Sequence, residues 1–108
     1  MYTERNDWKV DREYEMIQKY LVKVRRNLHQ IPELGTHLPK TQKYVCEELK
    51  KMGIPYWCSE KDSGIIAEIR GRYEGKTVAL RADMDALPLQ EQNAVSYRSR
   101  HEGRMHAC

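Results

Sequence analysis

The sequence predicts an α/β fold in which two amphipathic helices are followed by about three strands. Two observations predict it. Apolar residues recur at helical spacing before residue 53, and short apolar runs bounded by turn residues come after it. Helices that precede neighbouring strands favour a layer of helix packed on sheet. With 108 residues, the chain is long enough for one modest domain.

The first predicted helix is an amphipathic stretch that ends near Pro32. Its apolar positions lie three or four residues apart and share a face: Tyr14, Ile17, Leu21, Val24 and Leu28. The second helix is expected to begin at Leu38 or Pro39, because proline suits the first turn of a helix. Gly53, which follows two lysines and a methionine, marks its expected end.

Three strands are predicted in the second half of the chain. The first covers residues 54–58, and the third covers residues 77–82. The third run is almost uncharged, so we expect it to be buried and central in the sheet. Residues 90–108 lack an apolar pattern and are predicted to be loop. The second strand lies within residues 64–71, and three of its residues would share a face: Ile65, Ala67 and Ile69.

Composition and charge exclude several classes of protein. The net charge of +3 comes from 19 basic and 16 acidic residues spread along the chain, which is unlike the concentrated basic patch of a nucleic-acid-binding protein. No apolar run is long enough for a membrane span. Cys46, Cys58 and Cys108 form no CxxC pair, and their odd number predicts free thiols in a reducing cytoplasm.

Two aspartates follow the third predicted strand. Ligands of open α/β sheets collect beyond the carboxyl ends of strands, and Asp83 and Asp85 lie at such an end. If the strand continues, the two side chains point to opposite sides, so one could face a cation while the other supports a neighbour. The alternative is that both aspartates only cap a turn before Pro88.

The last residues of the sequence combine imidazole and thiol. His106 and Cys108 form an HxC pattern, and these two ligand types suit zinc. Two ligands do not complete a zinc site, so a disordered tail is the alternative. His29 and His37 have no such partner nearby in sequence, and we interpret them as helix-end or surface residues.

Five segments, taken in order and spacing, resemble one enzyme family. They are RRNLHQIPELG (25–35), KTQKYV (40–45), GIIAEIRG (64–71), KTVALRADMDALPLQE (76–91) and EGRMHAC (102–108). They are similar to the start of the zinc-dependent amidohydrolases and metallopeptidases that include N-acyl-amino-acid aminoacylases, hippurate hydrolases and indole-acetyl-amino-acid hydrolases. The resemblance implies that residues 1–108 are a partial N-terminal segment of a zinc-peptidase-like catalytic domain, with an incomplete sheet.

The resemblance also implies roles for individual residues. Asp83 aligns with a metal-binding histidine of more distant relatives, and Asp85 aligns with the aspartate that orients it, so Asp85 is the candidate catalytic-site residue. The MHAC segment usually continues as GHDxH in the family, and its cysteine binds metal, which makes Cys108 the candidate metal ligand. His106 is implied to be a neighbour. In the complete family enzyme two divalent ions, zinc or manganese, polarise an amide carbonyl and deliver a hydroxide, and a downstream glutamate is the general base.

The implied activity is hydrolysis of the amide bond of N-acyl amino acids or small peptide-like amides. The resemblance implies a small-molecule substrate, no nucleic-acid or membrane partner, and a possible homodimer of the complete enzyme through a lid domain absent from these residues. The 108-residue chain alone is then expected to be inactive. Two alternatives remain: a non-enzymatic α/β remnant that binds a partner, and a small protein that binds one metal weakly through Cys108 with His106.

Overall fold

The structure is a computed structural model, and it describes residues 7–108. It contains two helices, α1 (Asp7–His29) and α2 (Pro39–Lys51), followed by two short strands, β1 (Tyr56–Cys58) and β2 (Ile65–Ala67). The strands form an open antiparallel pair. The predicted α/β order of two helices and an incomplete sheet is therefore confirmed. Neither helix combines the length and the apolar character that crossing a membrane would require, as far as residues 7–108 are concerned.

The end of α1 agrees with the sequence prediction. Arg26 and His29 lie in the last turn, where positive charge is favourable next to the negative end of the helix dipole. Two further bonds of the i to i+3 kind tighten the chain after the helix: Gln30 N–H donates to the Asn27 carbonyl (3.3 Å), and Ile31 N–H donates to the Leu28 carbonyl (3.1 Å). Over much of its length, however, the apolar face of α1 is exposed.

Both ends of α2 are fixed by identifiable residues. Pro39 lies in the first turn, and the buried Glu33 carboxylate accepts the N–H groups of Lys40 (3.2 Å) and Thr41 (2.7 Å). At the other end, Ile54 N–H donates to the Leu49 carbonyl at 3.0 Å. Gly53 has a φ of 70°, in the left-handed region that a helix terminus of this type requires.

The hairpin after α2 is short and regular. Tyr56 is opposite Ala67, and Cys58 is opposite Ile65. The connection is closed by a bond from Ser59 N–H to the Gly64 carbonyl (2.9 Å), and the Asp62 carboxylate accepts the Gly64 N–H at 2.7 Å. The hairpin is joined to the start of α2 by Ser63, whose hydroxyl oxygen accepts the Leu38 N–H at 2.6 Å.

The third predicted strand is not formed. Residues 77–82 run without strand pairing, and the side chains of Val78 and Leu80 are 83% and 97% exposed. The prediction that this segment is buried and central was wrong for the described chain. The reason is physical: a strand needs the N–H and C=O groups of a neighbour, and no part of residues 7–108 is paired with this segment. A low charge content alone does not provide such a neighbour.

Candidate functional site

The C-terminal residues are attached to the segment that follows the two aspartates. Leu87 and Met105 form an isolated antiparallel bridge, in which Leu87 N–H donates to the Met105 carbonyl (2.9 Å) and Met105 N–H donates to the Leu87 carbonyl (3.0 Å). Ala86 N–H also donates to the Glu33 carbonyl at 2.8 Å, which joins this segment to the connection between the helices. The disordered tail considered from the sequence is therefore not what the structure shows.

Two cavities meet at the tail. The larger, with a volume of about 650 Å³, lies between the two helices, β2 and the segment that carries Asp83. The smaller, of about 430 Å³, lies between the end of α1 and residues 91–97. Four residues line both cavities: Arg25, His29, His106 and Cys108. The predicted ligand Cys108 is therefore exposed at the junction of two cavities, rather than packed in a core.

His106 lies beside Cys108 and has an unpartnered nitrogen. Its Nε2 atom is buried without a hydrogen-bond partner in residues 7–108. Burial lowers the pKa of His106 below its ordinary value, and the nearby His29 lowers it further, while the Asp85 carboxylate and main chain act in the opposite direction. The neutral imidazole that this favours can bind a metal ion or accept a proton.

The two aspartates have different surroundings. Asp83 lines the larger cavity together with His106 and Cys108, and its carboxylate lies 3.2 Å from the Arg81 guanidinium in an exposed ion pair. Asp85 is exposed and is close enough to affect the protonation of His106. Both aspartates thus lie near the C-terminal residues His106 and Cys108 in the folded structure.

Sequence reasoning missed the most buried charged residue of this region, Glu91. Its carboxylate is 1% exposed, and both of its oxygens lie 2.9 Å from His29 Nε2. It also accepts the Ser99 N–H at 2.6 Å and an N–H of the Asn93 amide at 3.1 Å. The Ser99 N–H makes the largest contribution to lowering the pKa of Glu91, burial opposes it, and His29 and Asn93 assist; the resulting pKa is about 2.

The interpretation of His29 as a helix-end residue is confirmed. His29 does end α1, but it is only 5% exposed, so it is not a surface residue. His37 is exposed, as expected. Tyr97 packs edge-on against the His29 ring, with ring centroids 5.9 Å apart, and the Arg26 guanidinium lies 4.5 Å from the centre of the same Tyr97 ring. Residues 91–99 thus hold the end of α1 next to the tail.

The described residues do not form a complete metal site. Between positions 7 and 108, no three side chains of His, Cys, Asp or Glu are grouped so that they could hold a metal ion. His106 and Cys108 both line the two cavities, but the Cys108 thiol is exposed whereas the Nε2 atom of His106 is buried. Thiolate and imidazole are both ligand types that zinc accepts.

Comparison with known proteins found similar sequences for most of the chain. The family model "Peptidase family M20/M25/M40" matches residues 79–108, the part of the chain that carries both aspartates and the tail. Over 92 residues the chain is 42% identical to N-acetyl-L-cysteine deacetylase of Bacillus subtilis, covering 85% of this chain and 22% of that protein. It is 47% identical to N-acetyldiaminopimelate deacetylase of Anoxybacillus flavithermus, covering 81% of this chain and 23% of that protein. Thermostable carboxypeptidase 2 of Saccharolobus solfataricus is 41% identical over 106 residues, covering 93% and 26%.

The fold gives the same result. The crystal structure of Bacillus subtilis YxeP, described as a dinuclear metal binding peptidase from the M20 family, superposes with a TM-score of 0.80 at 38% identity. The match covers 87% of this chain and 27% of that one. The chain belongs to the M20 family. The resemblance noted from the sequence is confirmed, and this M20 chain spans about a quarter of the length of the relatives that it matches.

Proposed function

We propose that this M20 chain forms one wall of a metal-dependent amidohydrolase site, in a whole protein that hydrolyses the amide bond of N-acyl amino acids or of small peptide-like amides. The observation that carries the proposal is the position of Cys108 beside His106 at the junction of two cavities. The names of the relatives support it, since two are deacetylases of N-acetylated amino acids and one is a carboxypeptidase.

Cys108 is the proposed metal ligand of this wall. Its thiol is exposed, and the Leu87 and Met105 bridge holds the chain three residues before it. The buried unpartnered Nε2 of His106 adds a second polar atom to the same corner. Two divalent ions, zinc or manganese, would polarise the amide carbonyl when bound, and a thiolate ligand favours zinc. Further ligands and a general base would come from outside the described residues.

Asp85 is the proposed orienting residue. Its negative charge raises the pKa of His106, so the two residues are near each other. A carboxylate in this position is suited to holding a neighbouring imidazole or metal ligand in place. Asp83 lines the larger cavity but is paired with Arg81 at the surface, and it carries no assigned role. Orienting carboxylates of this kind alter metal affinity or activity by about 10-fold to 100-fold when they are replaced.

The proposal extends to the setting of the whole protein. Residues 1–108 would be the N-terminal segment of the catalytic domain, and a separate domain would close over the substrate and support a homodimer. The substrate would be a small N-acyl amino acid rather than a nucleic acid or a membrane, in keeping with a net charge of only +3. Three free cysteines support a cytoplasmic location.

A non-enzymatic role is the second candidate. It is favoured by two observations: residues 7–108 contain no group of three metal-binding side chains, and the larger cavity is open and mainly apolar. Under this alternative the chain is an α/β remnant whose cavity binds a partner protein. The two candidates differ in what Cys108 does, because only the enzyme requires its thiol.

A hybrid enzyme tests the main proposal. The matching N-terminal part of the Bacillus subtilis N-acetyl-L-cysteine deacetylase is replaced by this chain, and release of cysteine from N-acetyl-L-cysteine is measured with zinc or manganese. We expect an active hybrid that loses at least about 100-fold in kcat when Cys108→Ala removes the ligand, and about 10-fold to 100-fold with Asp85→Asn. Cys58→Ser, assayed with reductant, is the matched control, because Cys58 lines neither of the cavities that meet at Cys108. An active hybrid that tolerates Cys108→Ala would contradict the assigned ligand.

The purified 108-residue chain provides the complementary test. The part of the site that this chain forms cannot hold two metal ions or supply the general base. We therefore expect no metal-dependent release of amino acids from N-acyl substrates above a blank without protein. Release that requires zinc or manganese and disappears with chelator would show that the chain is catalytically complete, against the proposal.

A further inference from the structure

Two cysteines on neighbouring elements have their sulfur atoms close together. The Sγ atom of Cys46, in α2, lies 3.4 Å from the Sγ atom of Cys58, the last residue of β1. Cys46 is half-buried and Cys58 is exposed, so a small molecule in solvent can reach one of the two thiols. The sulfur atoms of a disulfide are about 2.0 Å apart, so only a small shift separates this arrangement from a covalent bond.

The main chain holds both thiols on ordered elements. Cys58 is paired with Ile65 in the hairpin, and the bond from Ser59 N–H to the Gly64 carbonyl (2.9 Å) closes the turn directly after it. On the other side, the bond from Ile54 N–H to the Leu49 carbonyl fixes where the chain leaves α2. The proximity of the sulfur atoms thus follows from the packing of the hairpin on the helix.

We propose that Cys46 and Cys58 are a dithiol pair that low-molecular-weight disulfides oxidise to an intramolecular disulfide bond between α2 and β1. The bond closes the 12-residue separation between the two positions. This inference does not depend on the proposed hydrolase function, since neither cysteine lines the cavities that meet at Cys108.

The chemistry proceeds by two thiol–disulfide exchanges, and the exposed thiol reacts first. The Cys58 thiolate attacks one sulfur of the oxidant, for example oxidised glutathione, to form a mixed disulfide and expel one glutathione thiolate. The Cys46 thiolate then attacks the Cys58 sulfur, forms the protein disulfide and expels the second thiolate. Two protein thiols lose two electrons, the oxidant is reduced to two thiols, and the protons of the protein thiols pass to the leaving thiolates.

The order of the steps follows from the surroundings of Cys46. Burial, the hydrogen bond with Cys58 and the negative charge of the Cys58 thiolate raise the pKa of Cys46 to about 11, so it is a poor first nucleophile. Once Cys58 is in the mixed disulfide, its charge and its hydrogen bond to Cys46 are removed. The second step is therefore easier for Cys46 than the first would have been.

The bond would tie together two walls of the larger cavity. Val45 and Leu49 of α2 line one side, and Ile65 and Ala67 of β2 line another. Cys46 directly follows Val45 in the helix, and Cys58 is paired with Ile65 in the sheet. A covalent link between the two cysteines therefore limits how far these walls can separate.

The experiment measures disulfide formation in the 108-residue chain. The chain is equilibrated with mixtures of reduced and oxidised glutathione, free thiols are alkylated, and a tryptic digest is analysed by mass spectrometry. Trypsin places the three cysteines on separate peptides, residues 44–50, 52–61 and 105–108, so each pairing has its own mass. We expect the first two peptides to be linked, with Cys108 left alkylated or bound to glutathione.

Variants and a denatured reference complete the test. Cys46→Ser and Cys58→Ser should leave only mixed disulfides with glutathione, and Cys108→Ser should form the 46–58 bond as the wild type does. The equilibrium constant for the bond should be at least about tenfold higher in the folded chain than in guanidinium chloride, because folding brings the sulfur atoms together. Equal constants in the two states, or pairing of Cys108 as frequent as the 46–58 bond, would overturn the proposal.

Discussion

His29 and Glu91 form a buried pair that joins the last residue of α1 to a position 62 residues later in the chain. The imidazole Nε2 lies 2.9 Å from each carboxylate oxygen, and the two residues are 5% and 1% exposed. Ser99 N–H and the Asn93 amide complete the hydrogen bonding of the carboxylate. The pair therefore fixes the loop that lies between the end of α1 and the tail with His106 and Cys108.

Replacing Glu91 with glutamine should destabilise the fold. The new NH2 group cannot accept a hydrogen bond, so either the Ser99 N–H or the Asn93 amide N–H loses its acceptor, and the buried side chain loses its negative charge. We expect the midpoint of thermal unfolding, followed by circular dichroism at pH 7, to fall by about 5 °C or more. The exposed Glu102→Gln makes the same chemical change and should leave the midpoint nearly unchanged. Equal midpoints for the two variants would show that the buried pair contributes little.

The same carboxylate predicts an acid dependence of stability. The pKa of Glu91 is about 2 in the folded chain, below its ordinary value of 4.5, mainly because the Ser99 N–H stabilises the charged form. A depressed folded pKa stabilises the fold above pH 4.5, and that contribution is lost as the pH falls from 4.5 towards 2. Denaturant unfolding across this window should show a steeper loss of free energy for the wild type than for Glu91→Gln. Glu33 and Glu48, whose pKa values are also lowered, are present in both proteins and so contribute equally to both curves. Parallel curves would therefore contradict the assignment of the acid dependence to Glu91.

Two glycines with open space around them should respond in opposite ways to alanine. A Cβ at Gly53 or at Gly71 would meet nothing within 4 Å, but only Gly53 has a φ of 70°. Gly53→Ala should cost about 1–2 kcal/mol in the free energy of unfolding, because a side chain in the left-handed region is strained. Gly71→Ala should be neutral or stabilise by up to about 1 kcal/mol, through a less flexible unfolded chain. Chemical denaturation measures both, and equal effects would argue against the helix ending at Gly53 as described.

Metal binding by the 108-residue chain should be weak. Residues 7–108 contain no cluster of three metal-binding side chains, and one thiolate with a neighbouring imidazole does not form a preorganised site. Calorimetric titration with zinc should give one site at most, with a Kd on the order of micromolar or weaker that weakens further with Cys108→Ser. Two tight sites in each chain would show that the described residues hold the dinuclear centre alone.

The helices were predictable because their signals are local. The three-and-four spacing in α1, Pro39 at the start of α2 and Gly53 after its end are all visible within one or two turns of sequence. The first two strands were predictable for the same reason, since they are short apolar runs bounded by turn residues. The segment of residues 77–82 was not, because whether a run becomes a strand depends on a partner elsewhere in the chain.

The residues of the candidate site also differ in whether a sequence pattern indicates them or only a distant partner in the fold does. Local patterns already indicated Asp83, Asp85, His106 and Cys108 as candidates. The resemblance to the family then favoured Cys108 as the ligand and Asp85 as the orienting residue. Glu91 was missed because its partner His29 is 62 residues away and nothing around it indicates burial. The approach of Cys46 to Cys58 was missed because the pair has no recognised spacing, and only the packing of the hairpin on α2 brings the sulfur atoms together.

The exposed, unpaired segment around Leu80 has a consequence for the solubility of the purified chain. Val78 and Leu80 present their hydrocarbon to water, and the backbone amides beside them have no strand partner in residues 7–108. In concentrated solution, the unpaired segments of two copies can form an intermolecular β-sheet, and further copies can add to it. Precipitation on concentrating the purified chain would start there, and a lysine in place of Leu80 would keep the copies apart.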